Sequence, residues 1–219
     1  MQKINLNVAS GYNTIEGFIN LDNSLFLKLS QFPFYFLIKP FLSKDHRQWV
    51  DKFKLASNTG VFKRQNCRKA FKYKNNSVDH ILCSHFLEHL FHDEGQFLIS
   101  EFYRILKPGG TIHIILPDLE KIIQEYIESN DPFASDEFMA TILAYGKNGI
   151  SLRAKILDVT GNYGFHHLWM YDKKSIKKKL EDSGFTIFEH LDVPSSSFLK
   201  NDGSLHIFGK VKDKCNASN

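Results

Sequence analysis

The feature that most constrains this chain is the run Thr111-Ile112-His113-Ile114-Ile115-Leu116. It is β-branched and apolar, stopped by Gly110 before it and Pro117 after it. A strand that is apolar on both pleat faces must be covered on both sides, and crossover helices do this for parallel sheets. The neighbouring patterns supply such helices. Ile4 to Val8 alternates apolar and polar residues as a short strand does, and Ala9-Ser10-Gly11-Tyr12-Asn13 breaks it with turn formers. Phe18 to Leu21 reads as a second strand ending at Asp22, and Val78 to Cys83 as another. Between Glu94 and Leu106, Phe97, Leu98, Glu101, Phe102 and Ile105 fit a helical period, which Lys107-Pro108-Gly109-Gly110 stops. Asp118 can cap a helix running to about Glu128, and a further helical stretch covers Ser135 to Tyr145. Asp172 caps a lysine-rich helix from Lys173 to Ser183, with Ile176 and Leu180 inward and Gly184 as its stop. Phe185 to Leu191 and Leu205 to Val211 close the chain as two strands. The loop between them, with Pro194-Ser195-Ser196-Ser197 and Asn201-Asp202-Gly203, holds no helix, so these strands should pair antiparallel. Strands alternating with helices indicate an α/β domain with a mainly parallel sheet.

A length of 219 residues favours one domain with a full core, spanning residues 1–212 and followed by a frayed tail at 213–219. The ordinary apolar fraction and a net charge of +4 argue against disorder. Cys67, Cys83 and Cys215 are odd in number and lack paired spacing, which fits neither a disulfide framework nor a CxxC zinc site. The first residues have no signal-peptide apolar core, and no run of roughly 18 apolar residues occurs, so a cytoplasmic protein is expected.

The charge is lopsided. Lys39 to Lys74 carries 11 basic and two acidic residues, a local +9, and the remainder carries −5. Just before it, Leu25 to Leu42 holds 12 large apolar residues in 18. Pro33 and Pro40 break any long helix there. This aromatic-basic insertion, at about residues 24–60, has three readings: a lid of short helices over a substrate site, a peripheral contact with an anionic membrane through residues 25–74, or a homodimer contact. The exposed spacing of Lys173, Lys174, Lys177 and Lys178 reads as a solvated helix face. The chain lacks the basic excess and modules of a nucleic-acid binder.

A small-residue turn after the first strand lets the backbone approach a ligand, and an acid ending the second strand can accept hydrogen bonds from ribose hydroxyls. Downstream, Ser77-Val78-Asp79-His80-Ile81 leads into Leu87-Glu88-His89-Leu90, then Arg104-Ile105-Leu106-Lys107-Pro108-Gly109-Gly110. This series resembles the class I S-adenosylmethionine-dependent methyltransferases, over Ile4–Asp22 and Val61–Asp118 and again, more weakly, over His166–Phe185. Similarity is strongest to a small bacterial branch, type 11-like, often linked to sugar and surface-glycan modification. The resemblance implies a doubly wound, Rossmann-like sheet of seven strands, mainly parallel with an antiparallel C-terminal strand. It implies S-adenosylmethionine as cofactor and methyl transfer to an oxygen, with nitrogen as the second choice, of a small-molecule or glycan-type acceptor. It also implies that Ala9, Ser10 and Gly11 form the loop under the methionine part, that Asp22 holds the ribose, and that Asn66 or Cys67 lies by the adenine. Ser84, His85 and Leu87 would line the wall after the fourth strand, and Lys107-Pro108-Gly109-Gly110 would be a structural turn.

Two departures stand out. Ala9 replaces the first glycine of the family's Gly-x-Gly, and alanine is expected to accept that turn only at negative φ. Asn66-Cys67 replaces the acid that follows the third strand, and an amide accepts more weakly than a carboxylate. These departures keep a second reading in view, a methyltransferase fold that binds a nucleotide or partner without catalysis. Deprotonating an acceptor hydroxyl calls for a base, and His166, His167 and His85 are the candidates; Tyr12 and Tyr171 are candidate acceptor or cofactor contacts. His85-Phe86-Leu87-Glu88-His89 also spells H-x-x-E-H, in which two histidines on one helix face could bind zinc for hydrolysis. Sitting directly after a strand and inside the longer series, it reads instead as a turn fixed by Glu88 and His89, and no metal is assigned.

Overall fold

A computed structural model describes residues 3–143, 166–189 and 203–212. A seven-stranded sheet organises the chain: β1 (Asn5–Val8), β2 (Ile19–Asp22), β3 (Val61–Arg64), β4 (Val78–Ser84), β5 (Leu106–Leu116), β6 (Phe185–Phe188) and β7 (Leu205–Val211). Their order is β3-β2-β1-β4-β5-β7-β6. Strands β1 to β5 run parallel. β7 is antiparallel to both β5 and β6, and its pairing with β6 is the one expected of the two closing strands.

Seven helices are described: α1 (Leu25–Ser30), α2 (Tyr35–Ile38), α3 (Lys44–Thr59), α4 (His92–Ile105), α5 (Leu119–Glu128), α6 (Ala134–Leu143) and α7 (Lys173–Asp182). The capping residues are those the sequence offers. Asp118 accepts from the Glu120 amide, and Asp172 forms a capping box with Ser175. Gly184 ends α7 at φ +99°, where an added Cβ would lie 2.5 Å from the Tyr103 ring.

Every residue of β5 from Ile112 to Leu116 is buried, so the run is covered on both faces as expected. Ile112, Ile114 and Leu116 join Ile81 and Cys83 of β4, and α4 and α7 contribute Leu98, Phe102, Ile176 and Leu180 to this main core. The alternate positions Leu82 and Ile115 meet Ile15 and Phe18 on the opposite face. That second face also carries two buried histidines. His80 Nδ1 lies 2.7 Å from Thr111 Oγ1, and His113 Nε2 lies 3.1 Å from His206 Nδ1. Burial pushes their pKa values down, to about 4 for His80 and about 3 for His113. The register between β4 and β5 shifts between Val78 and His80. It does so where Gly109 takes φ +73°, so Lys107–Gly110, expected as a turn ahead of the strand, is instead an irregular first part of β5, and Lys107 Nζ lies 2.7 Å from Asp79 Oδ1.

The stretch between β2 and β3 is the crossover connection of a parallel pair, folded as α1, α2 and α3. The 16-residue α3 is longer than the short helices of the lid reading. Ser43 caps it, and it turns Val50, Phe53 and Ala56 inward at helical spacing while Lys, Asp and Arg fill its outer side. Glu101 and Arg104 lock the end of α4: Arg104 grips both carboxylate oxygens of Glu101 at 2.7 and 2.8 Å and reaches the Phe71 and Tyr73 carbonyls. Lys173, Lys174, Lys177 and Lys178 are exposed along α7, as expected. The final strand-loop residues 190–202, the part of the helical stretch beyond Leu143, and the tail 213–219 with Cys215 lie outside the described residues.

Candidate functional site

The sheet order reverses between β1 and β4, and the carboxyl ends of the strands open there into a cavity of about 570 Å³. Ligands of open α/β sheets bind at such switch points. Four sequence-distant turns converge on it: Ala9 and Gly11 after β1, Asp22 at the end of β2, Asn66 and Cys67 after β3, and His85 after β4.

Asp22 is 9% exposed. Its Oδ2 accepts from the Gly11 amide at 3.0 Å and its Oδ1 from the Ser24 amide at 2.6 Å. Burial raises its pKa, while these backbone donors oppose the rise. A carboxylate offers about four lone-pair positions, so two bonds to the backbone leave acceptor capacity for a ligand's hydroxyls. Gly11 sits at φ +56° with open space where a side chain would be. Ala9 does not meet the expectation of a negative φ. It lies at φ +51°, in the left-handed region, as does His85 at φ +49°. Non-glycine residues held there are strained, and both of these border the cavity.

Asn66 lines the cavity, and its Oδ1 accepts from the Arg68 amide at 3.0 Å. Cys67 is buried and its thiol is pushed up to about 12, so it stays protonated. Cys67 and Cys83 are both free thiols. The remaining wall comes from the crossover: Phe26 and Leu29 of α1 with His46, Trp49 and Phe53 of α3. The Phe26 and Trp49 rings stack with centroids 5.8 Å apart.

The other sequence candidates do not line this cavity. Ser10 donates its amide to the Leu21 carbonyl behind the turn, and Ser84 ends β4 paired with Ile115. Leu87 is packed in the main core. Tyr171 is 1% exposed in the same core, with its hydroxyl pressed toward Gly95, and burial drives its pKa up. Tyr12 packs edge-on against Trp49 and so backs the aromatic wall. His166 and His167 sit behind His89: the His166 carbonyl accepts from His89 Nδ1 at 2.9 Å, and the His167 and His89 rings are 5.1 Å apart. Burial lowers the His167 pKa, with Glu88 acting against it.

The helix-face zinc geometry is not formed. Glu88 and His89 lie in a short 3-10 turn, Leu87–His89, and His85 precedes it in a left-handed conformation, so His85 and His89 share no helix face. His85 Nδ1 instead lies 3.3 Å from Glu88 Oε1.

A sequence family described as "Methyltransferase domain" matches residues 43–114. No curated protein matches the chain. Among solved structures, an S-adenosylmethionine-dependent methyltransferase from Methanosarcina mazei aligns with a TM-score of 0.54 at 14% identity, over 97% of this chain and 94% of that one. A protein from Pyrococcus horikoshii OT3 aligns at 0.52 and 14% identity, over 97% of this chain and 83% of that one. The chain has the fold of the class I S-adenosylmethionine-dependent methyltransferases. Within that fold the crossover helices α1 and α3 contribute to the lining of the same cavity as Asp22.

Arg68, Trp49 and Phe26 also line the methyltransferase cavity and were not singled out in the sequence. The signal for Trp49 was present: a capping serine at 43, then Val50, Phe53 and Ala56 at helical spacing, within a parallel crossover that needs a helix.

Proposed function

We propose that the protein transfers a methyl group from S-adenosylmethionine to an oxygen of a small-molecule or glycan-type acceptor. The observation that carries this is the cavity itself, which is lined both by a buried carboxylate with spare acceptor capacity and by aromatic side chains of the crossover. The residues present fit a nucleoside: Asp22 for the ribose hydroxyls, the Asn66 amide for the adenine edge, Cys67 as an apolar neighbour, and the open turn from Ala9 to Gly11 for close backbone approach. When bound, S-adenosylmethionine supplies an electrophilic methyl on a sulfonium.

The rest is done by this chain's side chains. Phe26, Leu29 and Trp49 hold the apolar face of an acceptor and exclude water, and positioning of this kind supplies much of the rate of a bimolecular transfer. His85, with its side chain 43% exposed at the cavity, is the base that takes the acceptor hydroxyl proton, and Glu88 orients its imidazole. His166 and His167, the other candidates for that role, are not among the residues that line the cavity. The test is a panel of phenols, sugars and amines incubated with the protein and cofactor, read by release of S-adenosylhomocysteine. Turnover confined to hydroxyl acceptors supports the reading. Cofactor binding without turnover on any class supports the non-catalytic alternative.

A second observation supports the peripheral membrane reading of the insertion. Its outer side leaves Phe34, Phe36, Leu37 and Phe41 exposed, Phe41 at 88%, beside Lys39 and Lys44. Exposed aromatics with neighbouring cations suit an anionic lipid surface. Co-sedimentation with phosphatidylserine vesicles that is lost in Phe36→Ser/Phe41→Ser supports this. Self-association lost in the same variant, without vesicle binding, supports the homodimer instead. Among the described residues no helix is long and apolar enough to cross a membrane.

A further inference from the structure

We propose that Glu88, His89 and His167 bind one divalent transition-metal ion at the back of the cavity. One potential ligand atom from each of the three lies within 4.8 Å of the others. Glu88 is 1% exposed, yet its Oε2 has no hydrogen-bond partner among the described residues, and the buried His167 Nδ1 has none either. Buried polar atoms are almost always satisfied, so a carboxylate oxygen and an imidazole nitrogen left open side by side call for a common partner that accepts both lone pairs. A cation is such a partner.

The surrounding bonds hold the three ligands in place. The Glu88 carbonyl accepts from the amides of Leu168 at 2.7 Å and Trp169 at 3.2 Å, which straps the segment bearing His167 across the turn bearing Glu88 and His89. His89 Nδ1 donates to the His166 carbonyl, so its Nε2 carries the lone pair; a metal-binding histidine is usually oriented in this way by its other nitrogen. His85 holds the second oxygen of Glu88. Two imidazoles and one carboxylate favour zinc, manganese, iron or cobalt over magnesium or calcium, and three ligands leave coordination positions open. His89 borders the cavity, so an open position on that side would take an acceptor hydroxyl. There the ion would lower the hydroxyl's pKa, and the released proton would pass to the His85 imidazole. That catalytic role rests on the methyltransferase reading. Ion binding does not.

The test uses chelator-treated full-length protein titrated with cobalt(II), read by its visible d–d absorption. Uptake of one cobalt per chain, displaced by zinc but not by excess magnesium, is the expected result. Glu88→Gln and His167→Ala should each weaken cobalt binding by at least about tenfold, with circular dichroism confirming that each variant is folded. Absence of cobalt uptake by the folded wild type would overturn the site. Binding lost in His85→Ala but kept in His167→Ala would overturn the ligand assignment. Calorimetric titration of the metal-free protein with S-adenosylmethionine reports separately on the methyltransferase reading, so the two can fail independently.

Discussion

Ala9 is the residue whose conformation most departs from what its chemistry favours, and replacing it with glycine gives a sharp prediction. At φ +51° it carries the left-handed penalty of an L-residue, about 1–2 kcal/mol. Glycine removes that strain, but it also frees the unfolded chain, which costs about 0.4–1 kcal/mol. The net expectation for Ala9→Gly is a gain of about 0.6 kcal/mol. A matched control isolates the backbone term. Ala140 is also half-buried but lies within α6, where Ala→Gly costs about 1 kcal/mol. The same atoms are removed at both sites, so the lost methyl largely cancels. The two variants should therefore differ by about 1.5 kcal/mol, or about 3–6 °C in Tm for a chain of this size. Urea titration and thermal melts followed by circular dichroism measure both. If Ala9→Gly is destabilised as much as Ala140→Gly, the first turn is not strained and the conformation assigned to Ala9 is wrong. Cofactor affinity should not fall in Ala9→Gly, because the substitution only opens the turn.

Three further outcomes follow from the packing. His80 and His113 are kept neutral by burial, with folded pKa values of about 4 and about 3 against the ordinary 6.5. Their contribution is fully present above pH 6.5, and stability should fall as pH drops toward 4, by about 1.4 kcal/mol per pH unit per histidine. His80→Gln should remove one such proton from the slope of unfolding free energy against pH. Arg104→Ala leaves the buried Glu101 carboxylate without its main partner and should cost about 3 kcal/mol in a urea titration, the low end for a broken pair because the guanidinium is partly exposed. Arg104 also holds the Glu101 pKa down, so the pair's stabilisation should be present above the ordinary Glu value of 4.5 and be lost as pH falls below it. Trp49→Ala removes the centre of the aromatic wall and should raise the acceptor KM while leaving affinity for S-adenosylhomocysteine nearly unchanged, as separate steady-state and calorimetric measurements would show.

The sheet was legible because its strands are chemically distinct from what surrounds them. The run Thr111–Leu116 reads as a doubly covered strand, and the short link before Leu205, with no helical pattern in its sequence, implied that the two closing strands pair antiparallel. Asp22 was legible because an acid at a strand's end after a small-residue turn has a specific use, and the structure places it against Gly11. α3 was obscured by its setting: Val50, Phe53 and Ala56 are sparse among charges and follow a proline-broken aromatic run. Tyr171 read as an acceptor or cofactor contact, but its segment bridges to Asp118 and the residue is buried in the core. The juxtaposition of His89 with His166 and His167 could not be read at all, because residues 77 or more positions apart are brought together by the Leu168 and Trp169 amides bonding the Glu88 carbonyl, backbone bonds that any sequence could make. Likewise, the left-handed conformation of Ala9 is imposed by the strands on either side of the turn and not by alanine's own preference.

We propose that the cavity at the switch point of the sheet holds S-adenosylmethionine through Asp22. Isothermal titration calorimetry of the wild type and Asp22→Ala with S-adenosylmethionine and S-adenosylhomocysteine tests it most directly. The account predicts binding of both ligands to the wild type and a loss of about 1.5–3 kcal/mol in the variant, the range for hydrogen bonds to a charged group. No binding of either ligand at millimolar concentration, or equal affinity in a folded Asp22→Ala, would contradict it.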